Sequence, residues 1–255
     1  VFDSPHPVVT ARPTITWKSP ELTGLKPFRR PGIAVALPGT GSDADFARRS
    51  FEPACRERDL ELMAVEPDPL GVVASYRAAL DSAAQRGPVL AAGISLGAAV
   101  ALEWAAEHPE DVTGVIAALP AWTGADTANC PAAQSAAYTA GQLRAHGLDA
   151  VIEQMRGGSP EWLAAALTQS WRAQWPNLPQ ALQEAADYKW PGPERLRAVG
   201  VPVVIITAVD DPVHPLAVAE EWAALIPRSG LARITLDELG ADPAILGHTG
   251  LAAFD

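Results

Sequence analysis

Cysteine is scarce: Cys55 and Cys130 are the only two in 255 residues, lie far apart, and form no Cys-x-x-Cys pair. A disulfide framework and a thiolate metal site are therefore not indicated, and both read as ordinary thiols. Long apolar runs are missing too, none reaching the roughly 18 residues that a membrane helix needs. Val1–Thr10 lacks the basic stretch followed by an apolar one that marks a signal peptide. The expectation is a cytoplasmic protein without a membrane span. No His-Glu-x-x-His and no Walker-type Gly-Lys-Ser/Thr occurs, so no metal or organic cofactor is implied. Internal repeats and low-complexity tracts are absent. Basic residues are outnumbered, 19 Lys+Arg against 30 Asp+Glu, for a formal net charge of −11. Such a field repels phosphate backbones and anionic lipid, which argues against nucleic acid as a partner and favours a neutral or apolar small molecule.

What is present is an ordinary globular composition, 48% hydrophobic and 19% charged. A Pro-rich, irregular stretch over residues 1–30 carries strand-like alternation at Thr14–Trp17. Beyond it, strands and helices alternate. Ile33–Leu37, Leu60–Val65, Pro88–Ile94 and Val112–Leu119 read as strands, and Asp43–Arg58, Gly71–Gln85 and Leu96–Glu107 as helices. The pattern resumes with strand Val201–Thr207, helix Pro215–Ile226, strand Leu231–Leu236 and a last helix beginning at Gly247. This alternation predicts an α/β fold, a mostly parallel sheet with helices on both faces. Residues 120–192 break it with short helices and hold Trp122, Trp162, Trp171, Trp175 and Trp190. They are expected to form a helical lid on a core built from 1–119 and 193–255.

Gly93-Ile94-Ser95-Leu96-Gly97 matches G-x-S-x-G. Its flanks matter more than the pattern. An apolar strand, Pro88–Ala92, precedes it and an apolar helix from Ala98 follows, the context in which a serine is presented on a sharp strand-to-helix turn. Gly93 and Gly97 leave room for strand and helix to pass closely. On these residues the chain, from about residue 30 onward, resembles the α/β-hydrolase family.

The resemblance implies a catalytic Ser, an acid and a His in that chain order. The five histidines are His6, His108, His146, His214 and His248. His248, in Leu246–Gly250 after the last expected strand, sits where the family carries its base. His214 reads as an exposed loop residue. The acid loop is Ala208-Val209-Asp210-Asp211-Pro212-Val213, where the family's register selects Asp211, with Asp210 the alternative. The oxyanion donors implied are the N–H groups of Leu96 and of Thr40, with Gly41 possible, in a Pro38–Asp43 loop where the family usually has His-Gly. Gly39, Gly41 and Trp122 are expected to contact substrate.

The expected function is hydrolysis of a small or medium apolar carboxylic ester through an acyl-enzyme. A thioesterase, lactonase or acyltransferase on the same triad is chemically close. Two other classes stay open. Gly39-x-Gly41-x-x-Ala44 fits a dinucleotide fingerprint, with Glu66 closing the next strand. A non-catalytic binding protein can also use this fold.

Overall fold

A computed structural model describes residues 13–17 and 31–254. The rest of the irregular stretch over 1–30, His6 included, lies outside the described residues. The strands are β1 (Thr16–Trp17), β2 (Ile33–Leu37), β3 (Leu62–Ala64), β4 (Val89–Ile94), β5 (Val112–Ala118), β6 (Val203–Ala208) and β7 (Ser229–Ile234). They form one sheet in the order β1-β7-β6-β5-β4-β2-β3. All pairings are parallel except β1 with β7.

Because successive strand residues face opposite sides, β2 sends Ile33, Val35 and Leu37 into one core and Ala34 and Ala36 into another. The first core is closed by α2 (Val72–Ala84), α3 (Leu96–Glu107), α8 (Pro193–Arg197) and α9 (Leu216–Leu225). Trp104, Trp222 and Tyr76 are its largest fully buried side chains. The second is closed by α1 (Ala44–Arg56), α10 (Leu236–Ala241) and α11 (Ile245–Ala252), with Phe51, Leu239 and Leu246 inside. Each fully buried Leu, Ile or Phe contributes about 1.5–3 kcal/mol from the loss of water contact.

Between β5 and β6 stand α4 (Pro131–His146), α5 (Leu148–Gly158), α6 (Glu161–Gln174) and α7 (Leu178–Asp187), followed by α8. Leu143, Ile152, Trp171, Leu178 and Leu182 give the first four a small core of their own. Among the described residues no helix is long and apolar enough to cross a membrane.

Two features of this plan position the site. The chain runs outward from β2 to β3 and then returns to the other side of β2 as β4. The carboxyl ends of β2 and β4 therefore lie side by side at a reversal of strand order, where open α/β sheets form clefts. Leu37 pairs with Gly93, so the loops that follow them emerge together. The second feature is the end of β7. The strand stops at Ile234, not at Leu236 as expected, because Thr235 caps a helix. Its hydroxyl accepts from Glu238 N while the Glu238 carboxylate accepts from Thr235 N, a reciprocal capping box.

Candidate active site

The turn between β4 and α3 holds Ser95 in a strained backbone conformation, φ 53° and ψ −114°. The flanking glycines are obligatory. A Cβ on Gly93 would stand 2.2 Å from Gly97 O, and one on Gly97 would stand 2.4 Å from Leu37 O. Ser95 is thus lifted into the cleft at the head of α3, with its N–H tied to Ala118 O at 2.8 Å.

The histidine that meets Ser95 is His214. Its Nε2 lies 2.9 Å from Ser95 Oγ, and its Nδ1 lies 2.7 Å from Asp211 Oδ2. Base and acid share one loop after β6. Asp211 Oδ1 also accepts from Val213 N at 2.8 Å and His214 N at 3.3 Å, so the loop folds around this carboxylate. Burial pushes the Asp211 carboxyl up. The hydrogen bond and charge of His214, with the two backbone N–H groups, outweigh that and hold it below the usual aspartate value. Asp210, the alternative acid, points elsewhere: its Oδ1 accepts from Leu236 N at 2.8 Å and ties the loop to the start of α10.

The expected placement of His248 is corrected. It lies within α11, on the second core's side of the sheet, with its Nδ1 3.4 Å from Glu57 Oε2. The capping box at Thr235 turns the residues after β7 into α10, which displaces His248 by a further helix from the position assigned to it. The missed histidine had a signal. In Asp211-Pro212-Val213-His214 a carboxylate can accept the N–H groups two and three residues on while meeting the imidazole.

The loop after β2 packs against the nucleophile: a Cβ on Gly39 would lie 3.5 Å from Ser95 Cβ. Gly41, at φ 68°, makes the turn possible. Leu96 opens α3, where the first N–H groups have no acceptor within the helix. The same loop argues against the dinucleotide alternative. Asp43 Oδ1 accepts from Phe46 N, and Glu66 Oε2 accepts from Ala44 N, each at 3.0 Å. Two carboxylates occupy the helix end that a pyrophosphate would need.

Ser95, Asp211 and His214 open into a cavity of about 580 Å³. Its walls come from Gly39 and Thr40, from Phe46, from Leu236 and Leu239 of α10, and from α4–α7. Trp162 and Trp171 line it. Trp122 does not, which corrects its expected contact with substrate: its indole N–H donates to Asp126 O, and its ring packs against the first core. Gly41 is likewise not a wall residue, its Cα facing Trp171 and Leu182 from within the turn. Among the described residues, Asp211 is the only carboxylate that lines the cavity, and no Lys or Arg does.

This fold and this turn define the class of protein. The chain belongs to the alpha/beta hydrolase family, whose model matches residues 14–249. No curated protein matches the sequence. Among solved structures, a carboxylesterase of Nitrososphaera gargenis is similar at 16% identity with a TM-score of 0.64, over 89% of this chain and 88% of that one. An esterase of Thermogutta terrifontis is similar at 17% identity and a TM-score of 0.62, over 80% and 82%. An enol-lactonase of Burkholderia xenovorans LB400 is similar at 14% identity and a TM-score of 0.61, over 86% and 87%. Likeness at these identities concerns the fold.

Proposed function

We propose that the chain is a serine hydrolase cleaving a neutral, largely apolar carboxylic ester through a Ser95–His214–Asp211 triad. The observation that carries this is the continuous chain of short contacts from Asp211 through His214 to Ser95 Oγ. A serine hydroxyl needs such a base to become a nucleophile. The ester, rather than a charged substrate, is supported by a cavity to whose walls the described residues contribute no Lys or Arg.

In the proposed reaction Ser95 Oγ attacks the ester carbonyl while His214 Nε2 takes the hydroxyl proton. Asp211 holds the imidazole by Nδ1 and stabilises its protonated form. The N–H groups of Leu96 and Thr40 receive the oxyanion. The tetrahedral adduct collapses, and His214 returns the proton to the departing alcohol. Water then attacks the acyl-enzyme, giving its proton to His214, and Ser95 is regenerated as the acid leaves. The helices α4–α7 act as the lid over this centre. The cytoplasm is the proposed setting, following the expectation from the sequence.

The test is labelling by a fluorophosphonate, read by mass spectrometry, together with ester hydrolysis. Label is expected on Ser95 and absent from Ser95→Ala. His214→Ala is expected to lower kcat/KM by about three orders of magnitude or more, and His248→Ala to leave it within about twofold. The reverse pattern for the two histidines would sink the assignment of the base.

A further inference from the structure

The turn that presents Thr40 is gripped by two helices. Tyr76 of α2 donates its hydroxyl to Pro38 O at 3.0 Å, and burial with the nearby Glu66 and Glu184 charges keeps that hydroxyl protonated. From α6, Ser170 Oγ donates to Gly41 O and Gln174 Nε2 donates to Ser42 O at 2.9 Å. Gln169 Nε2 adds a bond to Asp43 Oδ2 at 3.0 Å. Within the turn, Ser42 N donates to Gly39 O at 3.0 Å. In a trans peptide the N–H points opposite to the C=O. Fixing Gly39 O toward Ser42 therefore fixes the Thr40 N–H on the other side, and any slip of Gly41 or Ser42 rotates that donor.

Ser170 and Gln174 are 1% and 5% exposed, and burying such polar groups is costly unless each is bonded. An apolar residue at either place would avoid that cost but would leave a carbonyl of the turn without its partner. The two side chains reach past the packing of α6 to the backbone of the loop beside Ser95.

We propose that Ser170 and Gln174 are positioning residues for the oxyanion turn, so that α6 is a fixed part of the reaction centre and not a hinged cover. The proposal rests on the serine-hydrolase function above. A preorganised donor acts because it need not reorient as charge develops. Loosening the turn should therefore weaken the transition state and leave ground-state binding alone.

The wild-type protein is first labelled with a fluorophosphonate. Failure at Ser95 overturns the serine-hydrolase function itself, and this proposal with it. Given labelling, Ser170→Ala and Gln174→Met are compared with wild type on a neutral p-nitrophenyl ester and on an arylboronic acid that forms a tetrahedral adduct with serine. Loss of a whole oxyanion donor costs about 10²–10³ in kcat, so a displaced one is expected to cost about tenfold. KM should stay within about twofold, and the boronate should weaken in proportion to kcat. Unchanged kcat in a folded variant overturns the proposal alone. So does a raised KM at constant kcat, which would make these residues substrate contacts. If Ser170→Ala does not fold, Ser170→Cys keeps the volume with a weaker donor, and any variant that folds decides.

Discussion

At the scale of single residues, the Asp211 carboxylate organises more than the imidazole. One oxygen meets His214 Nδ1, and the other takes the N–H groups of Val213 and His214. All three bonds favour the charged form, and together with the charge of His214 they outweigh burial, so the carboxyl titrates below the ordinary aspartate value of 3.8. A depressed folded value means that ionised Asp211 favours the folded state. Its contribution is fully present above the unfolded value of about 3.9 and is lost as pH falls through the lower folded one. The stability gap between wild type and Asp211→Asn, followed by thermal melts, should shrink as pH falls below about 4. A gap that stayed constant down to the acid transition would mean that ionisation of this carboxylate does not support the fold.

At the scale of secondary structure, α2 begins at a residue that cannot cap it. Gly71 occupies the N-cap position with no side chain to offer. Glu184 of α7 supplies the missing acceptors from across the molecule, one oxygen 2.8 Å from Val72 N and the other 3.0 Å from Val73 N. This joins a helix of the insertion to a helix of the sheet. A carboxylate at a helix N-terminus also meets the positive end of the helix dipole. Glu184→Ala is expected to lower stability by about 1–2 kcal/mol, measured as a shift of the urea midpoint at constant m-value. A change below a few tenths would show water to be an equal cap. Glu184→Gln, which keeps one acceptor, should fall between the two.

The same scale shows why some of the site was legible in the sequence and some was not. Ile33–Leu37, Gly93–Gly97 and Leu96–Glu107 are found where alternation and motif place them, because short-range geometry dictates each. The glycines flanking Ser95 are required by contacts that any strand-to-helix turn of this kind would make. The base was not legible by analogy, because the resemblance looks for it after the last strand, whereas His214 stands on the acid's own loop after β6. Where His248 falls depends in turn on where β7 ends. Thr235-Leu236-Asp237-Glu238 carries a capping box, a local signal that the strand stops at Ile234 and α10 begins. Taking Leu231–Leu236 as strand erased that helix and brought His248 too close to the sheet's end. The cavity walls contributed by α4–α7 depend on packing between distant segments, which no window of sequence encodes. Trp122 and Trp171 are indistinguishable in composition, yet Trp171 lines the cavity and Trp122 turns toward the first core.

At the scale of the whole molecule, two separate features favour the neutral substrate proposed above. The chain carries a formal net charge of −11, and among the described residues the cavity walls contribute one carboxylate, Asp211, with no Lys or Arg to balance a second. The first is a long-range field that salt screens, with a Debye length of about 8 Å at physiological ionic strength. The second is a short-range cost of placing a charge in an apolar enclosure without a partner, several kcal/mol for an ion, which salt does not relieve. The two can be separated with a pair of esters of equal length, one ending in a methyl group and the other in a carboxylate. At low salt the neutral ester should have the higher kcat/KM by at least about 100-fold, a difference of about 2.8 kcal/mol. Raising the salt to about 0.5 M should recover only a minor part of that gap, the part owed to the long-range field. Full recovery would place the discrimination on the molecular surface. Equal rates at low salt would mean that the carboxylate finds a partner or stays in water, and the neutral-ester assignment would then be wrong.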